Sequence, residues 1–212
     1  MRAHVAFVHY ACKQLRIYLI LIYFLSRRIF TVKKFPIKSF GFYGVYDTIK
    51  IMRIIGIDPG LLHTGWAIID ANGQQRHYVA SGVILPPTKL SLPERLSLIF
   101  RGITDLCEKF NPDVCSIEII FVNKNPKTTL ILGHARAAAI VAVANKNIEI
   151  FEYEPNAIKK ALTGAGHADK EQIYKMLKIL LPMAKPKTAD ESDAIAIAMT
   201  HANMNNMMMK RL

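Results

Sequence analysis

Four acidic side chains stand where an acid needs a reason. Asp58 closes the apolar run in "RIIGIDPGLLHTGW", Glu118 sits inside "SIEII", and Asp190 and Asp193 open "TADESDAIAIAMTH". A charge at the end of a buried strand is costly unless it is paired or binds a metal. Asp190 and Asp193 are three residues apart and so share one face of a helix. Gathered into one pocket, such carboxylates raise one another's pKa and cannot all stay ionised without cations. Oxygen-only ligands select hard ions such as Mg2+ or Mn2+. A pair of these ions polarises a phosphoryl group, generates the attacking hydroxide and stabilises the leaving oxygen of an in-line displacement. The chemistry implied is phosphodiester hydrolysis.

Each acid also has a plainer reading. "DPG" is a turn signal that accounts for Asp58 by itself. Asp190, Glu191 and Asp193 suit the first turn of a helix, and Thr188 with Glu191 fits the capping box T-x-x-E. Glu118 has no comparable local role, because a lone Glu flanked by Ser-Ile and Ile-Ile belongs to neither a turn nor a cap. Taken together the four favour a common site, with Glu191 left as the cap residue.

The elements that must position them follow from the apolar pattern. Residues 53–57, 65–69 and 78–84 read as strands, with "DANGQQ" supplying turn chemistry between the second and third. Residues 91–110 form a helix with apolar positions Leu92, Leu96, Ile99, Ile103 and Leu106 and a Ser-Leu-Pro-Glu start. A strand over 114–118, a long apolar helix over 126–146 and a strand over 148–153 come next, then helices over 156–162, 169–181 and 189–204. Hairpin-linked strands followed by helix-linked strands make a mixed α/β sheet of five strands flanked by helices. If the first and fourth strands are neighbours, Asp58 and Glu118 meet, and the last helix can add its two aspartates.

Composition bounds the remainder. The chain has 212 residues and a formal charge of +12; residues 1–51 hold nine Lys/Arg against the single acid Asp47, and residues 52–212 hold 19 against 15. Most of the basicity therefore lies in an N-terminal extension, residues 1–51, ahead of a domain at 52–204 and a Met-rich tail at 205–212. The extension's apolar stretch "LRIYLILIYFL" is shorter than the roughly 18 residues of a membrane span, and no small-residue cleavage site follows it. It reads as a non-native or mis-assigned start in preference to a membrane-surface anchor or a basic nucleic-acid arm. Cys12, Cys107 and Cys115 form no CxxC pair, and the last two suit buried, reduced thiols and a cytoplasmic protein.

The segments "IIGIDPGLLHTGWAII", "SIEIIFVNKNPKTTLILGHARAAAIVAV", "EYEPNAIKKALTGAGHADKEQI" and "TADESDAIAIAMTH" resemble, in order, the motifs of the RuvC crossover junction endodeoxyribonucleases. The resemblance spans nearly all of 52–201. It implies a ribonuclease-H-like (retroviral-integrase-like) fold and symmetric nicking of four-way DNA junctions in recombination and repair. It also implies a homodimer working with a RuvA–RuvB-like branch-migration motor. Asp58, Glu118, Asp190 and Asp193 then correspond to the catalytic acids, holding two Mg2+ ions per subunit with Mn2+ as a substitute. Phe121 matches an aromatic that stacks on bases near the junction centre, where its own sequence context reads equally as a core Phe. Lys159 and Lys170 match basic residues near the scissile phosphate, although alone each reads as a solvated helix-face lysine. Arg136, the charge inside the long apolar helix, is either a phosphate contact or half of a structural ion pair. The sequence departs from the family pattern at Ile119 and Ala137 and in its first 51 residues; no metal ligand is lost. The long helix at 126–146 is a candidate dimer contact, with burial inside the monomer as its alternative.

Three other functions are less consistent with these residues. A sugar-kinase or actin-like ATPase shares Gly-Ile-Asp-x-Gly but needs a second domain. A ribonuclease-H-like enzyme acting on RNA keeps the site and changes the substrate. A junction-binding module that does not cut gains nothing from four acids beside phosphate.

Overall fold

Strand β1 (Met52–Asp58) is apolar without alternation because its two sides feed two different cores. Ile54 packs on one side of the sheet, and Ile55 and Ile57 pack on the other. The computed structural model describes residues 51–120 and 126–209, with side chains through residue 204. Phe121 and residues 1–50 lie outside the described residues, as do the side chains of the C-terminal tail.

Strands β2 (Thr64–Asn72) and β3 (Gln75–Ile84) add to β1 as successive antiparallel hairpins. The β2–β3 pairing closes through Gly73 and Gln74, with Gly73 at φ 54°, a left-handed value that glycine adopts at little cost. Both strands therefore run longer than 65–69 and 78–84, since the polar residues near the turn pair through their backbones without any apolar signal. Helix α1 (Leu92–Phe110) begins at a capping box in which the Ser91 backbone N–H and hydroxyl both donate to Glu94. Strands β4 (Val114–Glu118) and β5 (Glu149–Tyr153) then join in parallel, giving the sheet order β3-β2-β1-β4-β5.

Helix α2 (Pro126–Ala144) connects β4 to β5. It stops short of residue 146 because the chain tightens into turns there, with Lys146 and Asn147 donating to Val143 and Ala144 and Asn147 at φ 55°. By length and composition α2 is the one helix among the described residues that could cross a membrane. Its small-residue face, Ala135, Ala139, Ala142 and Val143, is instead packed with α1 under the sheet. Helices α3 (Pro155–Thr163), α4 (Lys170–Leu180) and α5 (Ala189–Met209) complete the fold. They cover the opposite face, where Ile158, Leu162, Ile173, Leu177 and the α5 stretch from Ala194 to Met199 enclose Ile54, Ala67 and Ile69. The mixed five-stranded sheet with helices on both faces is the arrangement the sequence implies. Cys107 and Cys115 are free and buried, and burial pushes the Cys107 thiol up to about 11.

Candidate active site

Two glycines bring the site together. A Cβ on Gly56 would come within 2.3 Å of the Ala194 carbonyl oxygen, and one on Gly65 within 2.2 Å of the Asp190 carbonyl oxygen. Helix α5 thus lies directly on the backbones of β1 and β2. Gly65 is also the register partner of Asp58. The position across the hairpin from Asp58 carries no side chain, and the first turn of α5 occupies that space.

Strand periodicity aims the other acids at this turn. Asp58 shares its side of β1 with Ile54 and Gly56, the side that α5 covers. In β4, the buried Ser116 hydroxyl donates to the Ile197 carbonyl of α5 at 2.6 Å, and Glu118 follows two residues later on the same side. Ile57 pairs with Ile117, so Asp58 and Glu118 end adjacent parallel strands facing α5. This placement sets the electrostatics of the site. Asp58 is pushed up to about 7, first by burial, then by the charges of Asp193, Glu118 and Asp190, with Lys170 pulling it down. Burial also raises Glu118, helped by Asp193 and opposed by Lys159 and Lys170. Asp193 is raised by burial and by Asp190, against Lys170, whose Nζ lies 3.8 Å from Asp193 Oδ2. Glu118, Lys159, Lys170 and Asp193 line a common cavity of about 240 Å3.

The donor set fits a hard divalent cation. It is all oxygen and partly dehydrated, and a cation would relieve both the burial cost that chiefly raises Asp58 and the repulsion from the neighbouring acids that adds to it. No three His, Cys, Asp or Glu side chains converge as ligands of one ion among the described residues. Asp193, 40 % exposed, and Asp190, 32 % exposed, have room to rotate.

With that geometry in place, the match to a family model is decisive: "Crossover junction endodeoxyribonuclease RuvC" covers residues 54–201. The chain belongs to the RuvC family. The crossover junction endodeoxyribonuclease RuvC of Bartonella henselae is 46% identical over 153 residues, 72% of this chain and 90% of that protein. Its counterpart in Bradyrhizobium diazoefficiens is 51% identical over 152 residues, 72% of this chain and 87% of that protein. A solved structure, T. thermophilus RuvC in complex with Holliday junction substrate, matches with a TM-score of 0.70 at 28% identity, covering 74% of this chain and 96% of that one. As a RuvC-family chain it is a metal-dependent nuclease.

Other positions within the RuvC-matched span fall in four ways. Lys159 on α3 and Lys170 at the start of α4 line one cavity with Glu118 and Asp193. Arg136 takes the ion-pair arrangement: its guanidinium pairs with Glu152 and donates to the Glu118 backbone carbonyl at 3.0 Å, outside the carboxylate cavity. Phe121 lies within the matched span but outside the described residues. Glu191 is a buried cap, as its motif implies. Its N–H donates to the Thr188 hydroxyl, while its carboxylate accepts from the Lys187 N–H and, across to β3, from Ser81.

Sequence reasoning passed over His63, whose Nδ1 lies 3.8 Å from Asp190 Oδ2. The loop that carries it is tight, with the Thr64 hydroxyl donating to the Gly60 carbonyl at 2.7 Å. The signal was present in "DPGLLHTG": a turn that tight returns a residue five positions on to the side of Asp58. Gly56 and Gly65 were also passed over as site residues, because a glycine offers no chemistry of its own.

Proposed function

We propose that this chain resolves four-way (Holliday) DNA junctions by hydrolysing one phosphodiester in each of two symmetry-related strands, in homologous recombination and repair. The observation that carries the reading is that Asp58, Glu118, Asp190 and Asp193, from three remote segments, lie close enough for their charges to interact, with Lys159 and Lys170 acting on the same groups. Membership of the RuvC family and likeness to a relative solved with Holliday junction substrate support it. In this reading the four carboxylates hold two Mg2+ ions, for which Mn2+ substitutes. When bound, the ions supply positive charge that polarises the scissile phosphodiester and makes water nucleophilic near neutral pH. Lys159 and Lys170 present cations on the cavity side, where they offset negative charge growing on the phosphoryl oxygens. His63, with Nδ1 3.8 Å from Asp190 Oδ2, stands beside this aspartate at the edge of the site.

The same reading includes a C2 homodimer, which delivers two equal sites to a substrate of roughly two-fold symmetry. The outward face of α2, with Leu130 62% and Val141 50% exposed, is the surface proposed for it. A branch-migration motor of the RuvA–RuvB kind is the proposed partner on the junction, and Phe121 the proposed further DNA contact. Residues 1–51 are proposed to stand apart from this function, in keeping with a family match that starts at residue 54.

The test is incubation of the protein with a labelled four-way junction, a linear duplex and an RNA:DNA hybrid, with and without Mg2+. Paired nicks confined to the junction and dependent on Mg2+ are expected. Equal cutting of the linear duplex, or cutting of the hybrid alone, would refute the proposal.

A further inference from the structure

The peptide unit that follows Glu118 is held at both of its polar atoms. The Ile119 N–H donates to the Tyr153 carbonyl of β5 at 2.9 Å. The Glu118 carbonyl accepts from Arg136 Nε of α2 at 3.0 Å, and the same guanidinium is anchored by the Glu152 carboxylate. Arg136 is largely covered, its side chain 19% exposed. A planar guanidinium that pairs with a carboxylate while donating to a carbonyl has little freedom left. Fixing both ends of that peptide fixes the last backbone torsion of β4, and with it the direction in which the Glu118 side chain leaves the strand.

We infer that Arg136 is a positioning residue for Glu118: clamped by Glu152, it holds the end of β4 so that the Glu118 carboxylate stays aimed at the metal pocket. The inference rests on Glu118 being a metal ligand, as the proposed function has it. Helix α2 then acts on the site through one side chain, although no α2 residue lines the carboxylate cavity.

The experiment compares the full chain with Arg136→Gln, Arg136→Lys, Glu152→Gln and Glu118→Gln. It reads Mn2+ affinity by electron paramagnetic resonance without DNA, junction affinity in EDTA across a salt series, and kcat and KM. Arg136→Gln is expected to weaken Mn2+ binding about tenfold, the usual scale for an outer partner of a metal ligand. It should lower kcat while KM and the salt slope stay at parent values. Arg136→Lys, which keeps the charge but not the fork, should fall in between. Glu152→Gln, which leaves the arginine in place and removes only its anchor, should weaken Mn2+ binding in the same direction. Should Arg136→Gln fail to fold, Glu152→Gln decides alone.

A phosphate contact by Arg136 predicts the reverse: unchanged Mn2+ affinity, weaker junction binding and a salt slope lower by about one. That result overturns the inference. If Glu118→Gln weakens Mn2+ binding while Arg136→Gln and Glu152→Gln do not, the clamp alone is wrong. If Glu118→Gln also leaves Mn2+ binding intact, the assignment of the metal site is wrong and the inference falls with it.

Discussion

Replacing Asp58 with asparagine removes one negative charge from the carboxylate pocket at nearly constant shape, and the consequence for stability can be worked out. The Asp58 carboxyl stands at about 7 in the folded chain against an ordinary value of 3.8, chiefly through burial and then through Asp193, Glu118 and Asp190. Between those two values the folded chain binds the proton that the unfolded chain has released. Stability from this group is therefore present at low pH, falls as pH rises through that window, and is fully lost above it. At about 1.4 kcal/mol per pKa unit, the ionised form costs on the order of 4 kcal/mol at pH 8, of which roughly 2 to 3 kcal/mol accrues between pH 5 and pH 8. An uncharged amide in the same place carries no such penalty. Urea denaturation in EDTA, followed by circular dichroism at the two pH values, should show Asp58→Asn more stable than the parent at pH 8, with most of that gap gone at pH 5. Added Mg2+ should stabilise the parent by mass action and the variant much less. A variant no more stable than the parent at pH 8, or a gap that does not widen with pH, would mean that Asp58 is not held buried among mutually repelling acids.

The other predictions follow from the same geometry. Asp58→Asn should abolish Mg2+-dependent nicking while junction binding, measured by fluorescence anisotropy, stays near the parent value, because a ligand is lost and no phosphate contact is. Gly65→Ala places a methyl group about where the Asp190 carbonyl oxygen lies, 2.2 Å from its ideal position; it should cost on the order of 1–3 kcal/mol or more in a urea melt and weaken Mn2+ binding by displacing α5. A chain beginning at Met52 should fold and cut junctions as the full chain does, and loss of soluble, active protein would assign a role to residues 1–51. Val141→Glu on the exposed side of α2 should yield monomers by sedimentation velocity and reduce paired nicking far more than binding.

Glu118 was legible in the sequence because it is a charge in an otherwise apolar strand with no local role, whereas Asp58, which the DPG turn explains by itself, was legible only together with the other acids. The order of hairpins and crossovers was legible for a similar reason: turn residues and apolar runs are local signals. The cap role of Glu191 could be read from T-x-x-E, although its bond to Ser81 depends on how β3 passes the start of α5. Arg136 could not be decided by motif, since its partner is Glu152 on a strand sixteen positions away. Strand parity held part of the answer there. Tyr153 bonds to His201 on the α5 side of β5, so Glu152 must face the α2 side.

What stayed hidden is why the acids meet at all. The burial and the mutual repulsion that together lift Asp58 to about 7 oppose the assembly of the pocket, so something else must hold α5 against the ends of β1 and β2. That support comes from backbone contact at Gly56 and Gly65 and from the Ser116 hydroxyl bound to Ile197, together with the buried apolar run of α5 from Ala194 to Met199. None of these groups has a place in the chemistry. A search for reactive side chains finds the four acids and passes over the residues that force them together. The close approach needs glycine where a side chain would stand in the way, which makes Gly65 as consequential for the site as any carboxylate in it.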